Sequence, residues 1–463
     1  MHQGRAESHS GQALLVDLYE LTMAAGYFEH HVDCRATFEL FVRHLPAERT
    51  YLVAAGLDAA LDYLESLNFT DEDVRFLRAQ PAFRTVSPEF FDYLRGFRFR
   101  GEVHAVEEGT PVFADEPILQ VTAPILEAQV VETYLLSVIH YETLVASKAA
   151  RVVHATQGRG ALEFGTRRAH GPEAGVRAAR AAYLAGFEAT SNVLAGHRYG
   201  IPLAGTAAHS WTQVYPSERR SFEALLETFP ETAILLIDTY DPLAGAEIAA
   251  TLGRKVPGVR LDSGDLLEKG RHVREILDRH GLRETRIVAS GDLNEHKIAA
   301  LVSQGAPLDA FGVGTDLVTS HDAPTLSVVY KLVETEQGGR VEYKTKFSEQ
   351  KVYAPGRKQV FRFSSGGRYH HDLIACAGES YPQAEALLHP VMEGGRRLRP
   401  SPPLAELRSR TLARLGCLPE AYRALSGAPA YPVSKSAALE RRLEEVREQY
   451  ARISQPSPAI RAR

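Results

Sequence analysis

AILLIDTYDPLAGAEIAATLGRKVPGVRLDSGD, residues Ala233 to Asp265, decides how the chain folds. An apolar run, Ala233 to Ile237, stops at once on Asp238, Thr239 and Asp241. Pro242 then opens a helical pattern, AGAEIAATL, and a second apolar run ends on Asp262, Ser263 and Asp265. A buried strand with polar groups at its carboxyl end, followed by a helix and another such strand, is a βα unit. The pattern recurs in ALEFGTRR from Ala161, IPLAGTAAHS from Ile201, RIVASGDLNE from Arg286 and AFGVGTD from Ala310. Helical patterns such as LEKGRHVREILDRHG and EHKIAALVSQG lie between them. The spacing, about 25 to 45 residues, is that of βα units. Strand ends displaying polar groups predict a parallel α/β barrel with its site at the carboxyl ends of the strands. An open doubly wound sheet puts ligands at the same ends, so the pattern leaves the topology open.

Elsewhere the element types mix. DLYELTMAAGYF, from Asp17, has a helical rhythm, ATFELFVRHLP alternates as a strand, and LVAAGLDAALDYLESL reads as helix. GEVHAVEEGTPVFADEPILQVTAP reads as short strands and turns, and a helix is expected from Glu127 to about Val153. No internal repeat is visible.

The chain has 463 residues, 44% hydrophobic and 24% charged, which suits a multidomain globular protein. A formal net charge of -5 gives no electrostatic reason to expect nucleic acid or an anionic membrane as partner. No apolar stretch is long enough to span a bilayer. The polar start, MHQGRAESHSGQ, reads as a frayed arm rather than a secretory signal. The three cysteines, Cys34, Cys376 and Cys417, lack metal spacing and suit a reducing cytoplasm.

The strand ends carry the chemistry. GVGTD, Gly312 to Asp316, can cradle a phosphate with backbone N–H groups and the Thr315 hydroxyl, or can be an ordinary glycine turn. RLDSGD sets Arg260, Asp262 and Asp265 around a tight turn; acids there can hold ribose hydroxyls or magnesium and arginine can hold phosphate, while a solvated turn needs none of this. EFGTRR presents Phe164 with Arg167 and Arg168, which suits a flat anion or, equally, a core ring with surface arginines. His209 follows a crowd of small residues, AGTAA, that clears space beside its imidazole. A lone histidine after a strand is also commonly a satisfied polar residue, and protonation near neutrality proves nothing alone.

Taken in order, DLYELTMAAGYF, ATFELFVRHLP, EFGTRRAHGPEAG, GTAAHS, DTYDPL, VRLDSGDL, GVGTDL, PGRKQVFR, LHPVMEGG and YPVSKS resemble the nicotinate phosphoribosyltransferase family over nearly the whole chain. The resemblance implies the type II phosphoribosyltransferase fold: an irregular α/β barrel joined to a second α/β domain built from N- and C-terminal segments. It divides the chain into an arm (1–12), an N-terminal α/β segment (13–150), the barrel (151–335), a C-terminal segment completing the second domain (336–455) and a tail (456–463). The implied reaction joins nicotinate to 5-phosphoribosyl 1-pyrophosphate, giving nicotinate mononucleotide and pyrophosphate, the first step of NAD salvage from nicotinate. ATP and Mg2+ are the implied cofactors, and His209 matches the histidine that becomes phosphorylated. The implied assembly is a cytoplasmic homodimer with shared active sites.

Residue by residue, the resemblance sandwiches the pyridine ring between Phe164 and Tyr19 of the partner subunit, with Arg167 at the nicotinate and ribosyl end. Arg260 and Asp262 hold the phosphoribosyl group, Gly291 and Asp292 lie near ribose, and Gly312, Gly314 and Thr315 hold the 5′-phosphate. By looser analogy Arg43 reaches pyrophosphate across the interface. Ser191 stands where nicotinamide-using relatives carry aspartate, so nothing there repels a carboxylate. Helix packing is the plain alternative for Ser191. Quinolinate- or nicotinamide-type phosphoribosyltransferases and a non-catalytic pyridine-nucleotide binder are the competing readings of the whole.

Overall fold

The computed structural model describes residues 12–253, 255–348 and 351–453. The arm expected at 1–12 lies outside these up to residue 11, and the tail at 456–463 lies outside them entirely.

Six parallel strands form one curled sheet: Gly160–Glu163, Ala189–Thr190, Ile234–Leu236, Gly258–Leu261, Arg286–Ala289 and Ala310–Val313. Most of their apolar residues, among them Leu235, Val259, Leu261, Ile287 and Val313, are fully buried, as expected of strands covered on both faces. The first strand pairs with the last, and the neighbours then run back through the chain to Ile234–Leu236. This is the cyclic order of a barrel cut between its second and third strands, not that of a doubly wound sheet. One parallel bridge, Thr190 to Leu203, extends one lip of the cut. The irregular α/β barrel is therefore what the chain builds.

The second body takes strands from both ends of the chain. Its seven-stranded antiparallel sheet runs Arg340–Tyr343, Val328–Gln337, Arg35–Val42, Pro117–Pro124, Glu102–Ala105, His389–Glu393 and Arg396–Arg397. A four-stranded sheet, Glu385–Ala386, Lys358–Ser365, Arg368–Cys376 and Val433–Lys435, lies against it. That contact explains a departure from the alternating pattern of Arg35–Val42, where every residue but Arg35 is buried. Its polar face is covered, and each polar side chain finds a partner. Glu39 pairs with Lys358 at 2.5 Å and accepts from Gln120, and Thr37 meets Thr122 at 2.9 Å.

The long helix Glu132–Thr156 runs between the two hydrophobic cores, contributing Leu144 to one and Val145, Ala146 and Ala149 to the other. The single helix expected from Glu127 is two helices, Ile125–Val130 and Glu132–Thr156, broken at Val131. Val131, at φ −92° and ψ −4°, joins the two helices and is fully buried, as is Val130. The helix expected from Leu52 starts at Leu57. Gly56, at φ +93°, turns the chain there, and Leu52–Val53 instead pairs with Pro111–Val112.

Candidate active site

Five of the six barrel strands lead into a residue that the sequence assigned to the site, and the sixth, Ile234–Leu236, leads to Asp238. The strand Gly258–Leu261 carries Arg260 and delivers Asp262. Arg260 donates from Nη2 to Asp262 Oδ1 at 2.6 Å, from Nε to Ser290 Oγ at 2.7 Å and from Nη1 to Thr206 Oγ1 at 2.6 Å. Ser290 also donates to Asp262 Oδ1 at 2.5 Å. The Asp262 N–H donates to Asp238 Oδ2 at 2.8 Å. Four strand ends are thereby tied into one polar floor. Burial pushes the Asp262 carboxyl pKa up, but the Ser290 hydrogen bond, the Arg260 guanidinium and then His209 outweigh it and hold it below the usual value.

His209 begins the short helix His209–Val214, just beyond the Leu203 lip of the cut. Its Nδ1 lies 3.1 Å from Thr239 Oγ1, so a hydrogen bond spans the opening of the barrel. Nε2 lies 4.0 Å from Asp262 Oδ2. The imidazole is partly exposed and faces the floor rather than the core. A satisfied structural histidine would be enclosed; this one has one nitrogen held and the other accessible.

Phe164 leaves the first strand and lies over the last. A Cβ on Gly312 would fall 2.6 Å from its ring carbon Cδ2, so only glycine lets the ring settle there. Gly291, at φ +97°, is as constrained: a Cβ would sit 2.0 Å from the Asp262 carbonyl oxygen. Asp292 follows at φ +47°, and its carbonyl accepts from Lys297 at 2.7 Å. Gly314 and the exposed Thr315 open the short helix Thr315–Val318 beside Phe164. Arg167 is exposed, and among the described residues its guanidinium makes no hydrogen bond. Ser191 is exposed too; its N–H donates to the Glu163 carbonyl at 2.9 Å.

Tyr19 and Arg43 belong to a different place. Tyr19 lies on the helix Leu18–Glu29 beside Glu132, with its hydroxyl pKa raised first by burial and then by Glu132 and Glu20. Glu132 faces Lys331, which in turn has Arg43 and Lys346 as cationic neighbours. The two residues thus lie along one face of the second body. Among the described residues, no hydrogen bond, ion pair or ring contact joins either to the barrel floor.

Sequence reasoning saw Asp238 and Thr239 only as the polar end of an apolar run, and gave them, Thr206 and Ser290 no role in the site. Each stands directly after an apolar run, so the strand-end rule applied to LLIDTYD, LAGTAAHS and VASGD would have found them. It also passed over Glu163, whose carboxylate accepts from the Gly165 N–H and from Thr190 Oγ1, tying the Phe164 turn to the strand that precedes Ser191. Nothing in EFGTRR distinguishes that glutamate from an exposed one.

Comparison with known proteins agrees with this fold. Residues 14–140 match the nicotinate phosphoribosyltransferase N-terminal domain, 161–346 the nicotinate phosphoribosyltransferase family and 380–443 its C-terminal domain. The chain is 46% identical over 432 residues to nicotinate phosphoribosyltransferase pncB2 of Mycobacterium tuberculosis, covering 92% of this chain and 91% of that protein. It is 38% identical over 458 residues to nicotinate phosphoribosyltransferase of Bacillus subtilis, covering 92% and 93%. The crystal structure of human nicotinic acid phosphoribosyltransferase superposes with a TM-score of 0.80 at 30% identity, covering 93% of this chain and 99% of that one. With its three family regions in order and its barrel site assembled, the chain belongs to the nicotinate phosphoribosyltransferase family.

Proposed function

We propose that this chain makes nicotinate mononucleotide from nicotinate and 5-phosphoribosyl 1-pyrophosphate, coupled to ATP through a phosphohistidine at His209. The observation that carries the reading is the shared barrel mouth: the Arg260–Asp262–Ser290 floor, the Gly312–Thr315 turn, Phe164 and the accessible imidazole of His209 all meet there.

The chemistry follows from those positions. The pyridine nitrogen attacks C1 of the ribose, and the bond from C1 to pyrophosphate breaks. Positive charge grows on ring and sugar, and the ionised Asp262 stands ready to offset it. Phe164 orients the ring from one face, and Arg167, whose guanidinium makes no hydrogen bond among the described residues, answers the nicotinate carboxylate. Nothing covalent forms between protein and sugar.

His209 acts in a separate step. In the tautomer that carries its proton on Nδ1, that nitrogen donates to Thr239 and the Nε2 lone pair is free to attack the γ-phosphorus of ATP; ADP leaves with the bonding pair. Water later returns the phosphoryl group as phosphate. The step can assist synthesis only if the two forms of His209 differ in substrate affinity. Among the described residues no group of three or more His, Cys, Asp or Glu side chains could hold a metal ion. Mg2+ commonly binds through substrate phosphates and one or two carboxylates, and the buried Asp238 Oδ1, which has no hydrogen-bond partner among the described residues, suits that role. Bound there, the ion would neutralise phosphate charge.

The assembly we infer is a homodimer in which Tyr19 and Arg43 of one chain complete the site of the other. Their grouping on one face, away from the floor of their own barrel, supports it. Stacking of Tyr19 is worth about 0.5–1.5 kcal/mol beyond area burial. Among the described residues no helix is long and apolar enough to cross a membrane, and Cys34, Cys376 and Cys417 are all free, which suits a cytoplasmic setting.

The deciding experiment is a product assay with nicotinate and phosphoribosyl pyrophosphate, with and without ATP. Nicotinate mononucleotide formed faster with ATP supports the reading. Product from quinolinate or nicotinamide alone, or from none of the three, would sink it.

A further inference from the structure

Behind the phosphate turn lies a charge cluster that the reaction as described does not use. Lys148, on the helix Glu132–Thr156, has a side chain only 1% exposed. Its ammonium lies 2.6 Å from Glu295 Oε2, 2.5 Å from Asp316 Oδ1 and 2.9 Å from Asp322 Oδ1. Arg151 Nε meets Glu295 Oε1 at 3.1 Å, and Arg49 holds Asp322 through Nη2 at 2.9 Å and Nε at 3.1 Å. Three cations therefore face three carboxylates, and the cluster is balanced. Burial alone would push the Lys148 pKa down, but Glu295, Asp316 and Asp322 raise it overall, so the ammonium stays charged.

The partners are not random. Asp316 directly follows Thr315 of the phosphate turn. Glu295 directly follows the Gly291–Asn294 loop that carries Asp292. Asn294 also reaches Asp316 Oδ2 at 3.4 Å. One ammonium thus holds the loops after two neighbouring strands, Arg286–Ala289 and Ala310–Val313. Stability does not account for it: buried ion pairs do little that apolar packing would not do as well or better. Geometry does. The compact ammonium, with three donors, stands within reach of three carboxylates that belong to separate segments of the chain.

We propose that Lys148 is a positioning residue that fixes the spacing between the phosphate turn, Gly312 to Thr315, and the ribose loop, Gly291 to Asn294, so that both ends of the phosphoribosyl group are gripped together. The proposal rests on the reading of those two segments as the phosphoribosyl site. A displacement of about 1 Å in such a site can cost on the order of a hundredfold in rate.

The test is Lys148→Met in the full-length protein. The expected result is an apparent KM for phosphoribosyl pyrophosphate raised about tenfold or more, with the KM for nicotinate at saturating co-substrate within about twofold. A purely structural lysine would lower the melting temperature and leave the ratio of the two KM values unchanged, which overturns the proposal. Should Lys148→Met fail to fold, Asp316→Asn cuts only the arm to the phosphate turn and must give the same selective loss. Asp322→Asn, which leaves both arms in place, must lower stability without moving that KM ratio. Thr315→Val separates the two layers. If it weakens phosphoribosyl pyrophosphate while Lys148→Met and Asp316→Asn do not, positioning by Lys148 is wrong. If none of the three variants does, the turn itself has been misread.

Discussion

Two arginine–aspartate pairs in this molecule have the same chemistry and opposite surroundings. Arg362 and Asp372 lie in the four-stranded sheet, with side chains 1% and 0% exposed. Arg362 donates to both Asp372 oxygens and to the Pro111 carbonyl, packs over Phe113 and Tyr369, and Asp372 also accepts from Tyr431. Even the neighbouring Glu116 carboxyl is pushed well up in pKa, first by burial and then by Asp372. Arg260 and Asp262, at the barrel floor, are 12% and 30% exposed. Their partners are small hydroxyls, and Asp262 Oδ2 still looks toward His209. A saturated, dry pair fixes a fold. An open pair at a strand end has capacity left for a substrate.

The difference can be broken from the buried side first. Asp372→Ala should have the largest effect of any substitution considered, about 3–5 kcal/mol of folding stability, because it leaves the Arg362 guanidinium uncompensated in the core. Denaturant unfolding measures this. The KM values of whatever protein stays folded should remain near those of the parent. A loss under about 1 kcal/mol would mean that water reaches the pair and that the contrast is false.

Asp262→Ala should do the reverse. We expect kcat/KM to fall on the order of 10²–10³, about 2.7–4 kcal/mol, with little change in melting temperature. The pH dependence has a definite sign. The folded pKa of Asp262 is lowered below its ordinary 3.8, so its contribution to stability is present above that value and is lost as pH falls through the lower, folded one. Any acid limb of the rate profile near neutrality must then belong to another group, and an acid limb near neutrality that disappears in Asp262→Asn would contradict the assignment.

The same contrast explains what was legible in the sequence. Strand ends were readable because a parallel strand is apolar throughout and its polar continuation stands out, as in Leu235 to Asp238 or Val259 to Asp262. The barrel topology was not, since cyclic order depends on which strands pair, and no local pattern reports that Gly160–Glu163 meets Ala310–Val313. Buried charge was not legible for a related reason. Glu39, Lys148, Glu163 and Arg362 are polar letters in the sequence, and only three-dimensional pairing makes them interior. PGRKQVFR and YPVSKS supply Lys358, Arg362 and Tyr431 to such interior contacts, so these motifs carry architecture where the barrel motifs carry chemistry.

His209→Ala probes the open side more gently. Incubation with ATP should label the parent chain with acid-labile, base-stable phosphate, as a phosphoramidate requires, and the variant should take up none. ATP stimulation should vanish while basal transfer persists, because the groups that orient the sugar remain. The expected loss is about tenfold in apparent substrate affinity, roughly 1.4 kcal/mol. A folded variant that still incorporates phosphate and still responds to ATP would remove His209 from the mechanism.

Ser191→Asp carries the smallest expected effect and the sharpest reading of the site's surroundings. Ser191 is exposed and its hydroxyl has no hydrogen-bond partner among the described residues, while its N–H is fixed to Glu163. A carboxylate placed there repels the nicotinate carboxylate through a water-like medium, where two charges about 4 Å apart interact by roughly 1 kcal/mol. Nicotinate should therefore lose about fivefold in kcat/KM, and neutral nicotinamide should lose less. Equal losses for both would make Ser191 a packing residue. A loss for nicotinate alone of about a hundredfold or more would carry a different message, because repulsion of that size needs a dry site. A single chain leaves Ser191 open to solvent, so the dryness would have to come from a second subunit closing over the barrel mouth, where Tyr19 of the partner subunit is expected. The size of the effect, and not only its sign, thus reports whether the open pair at the barrel floor stays open in the working enzyme.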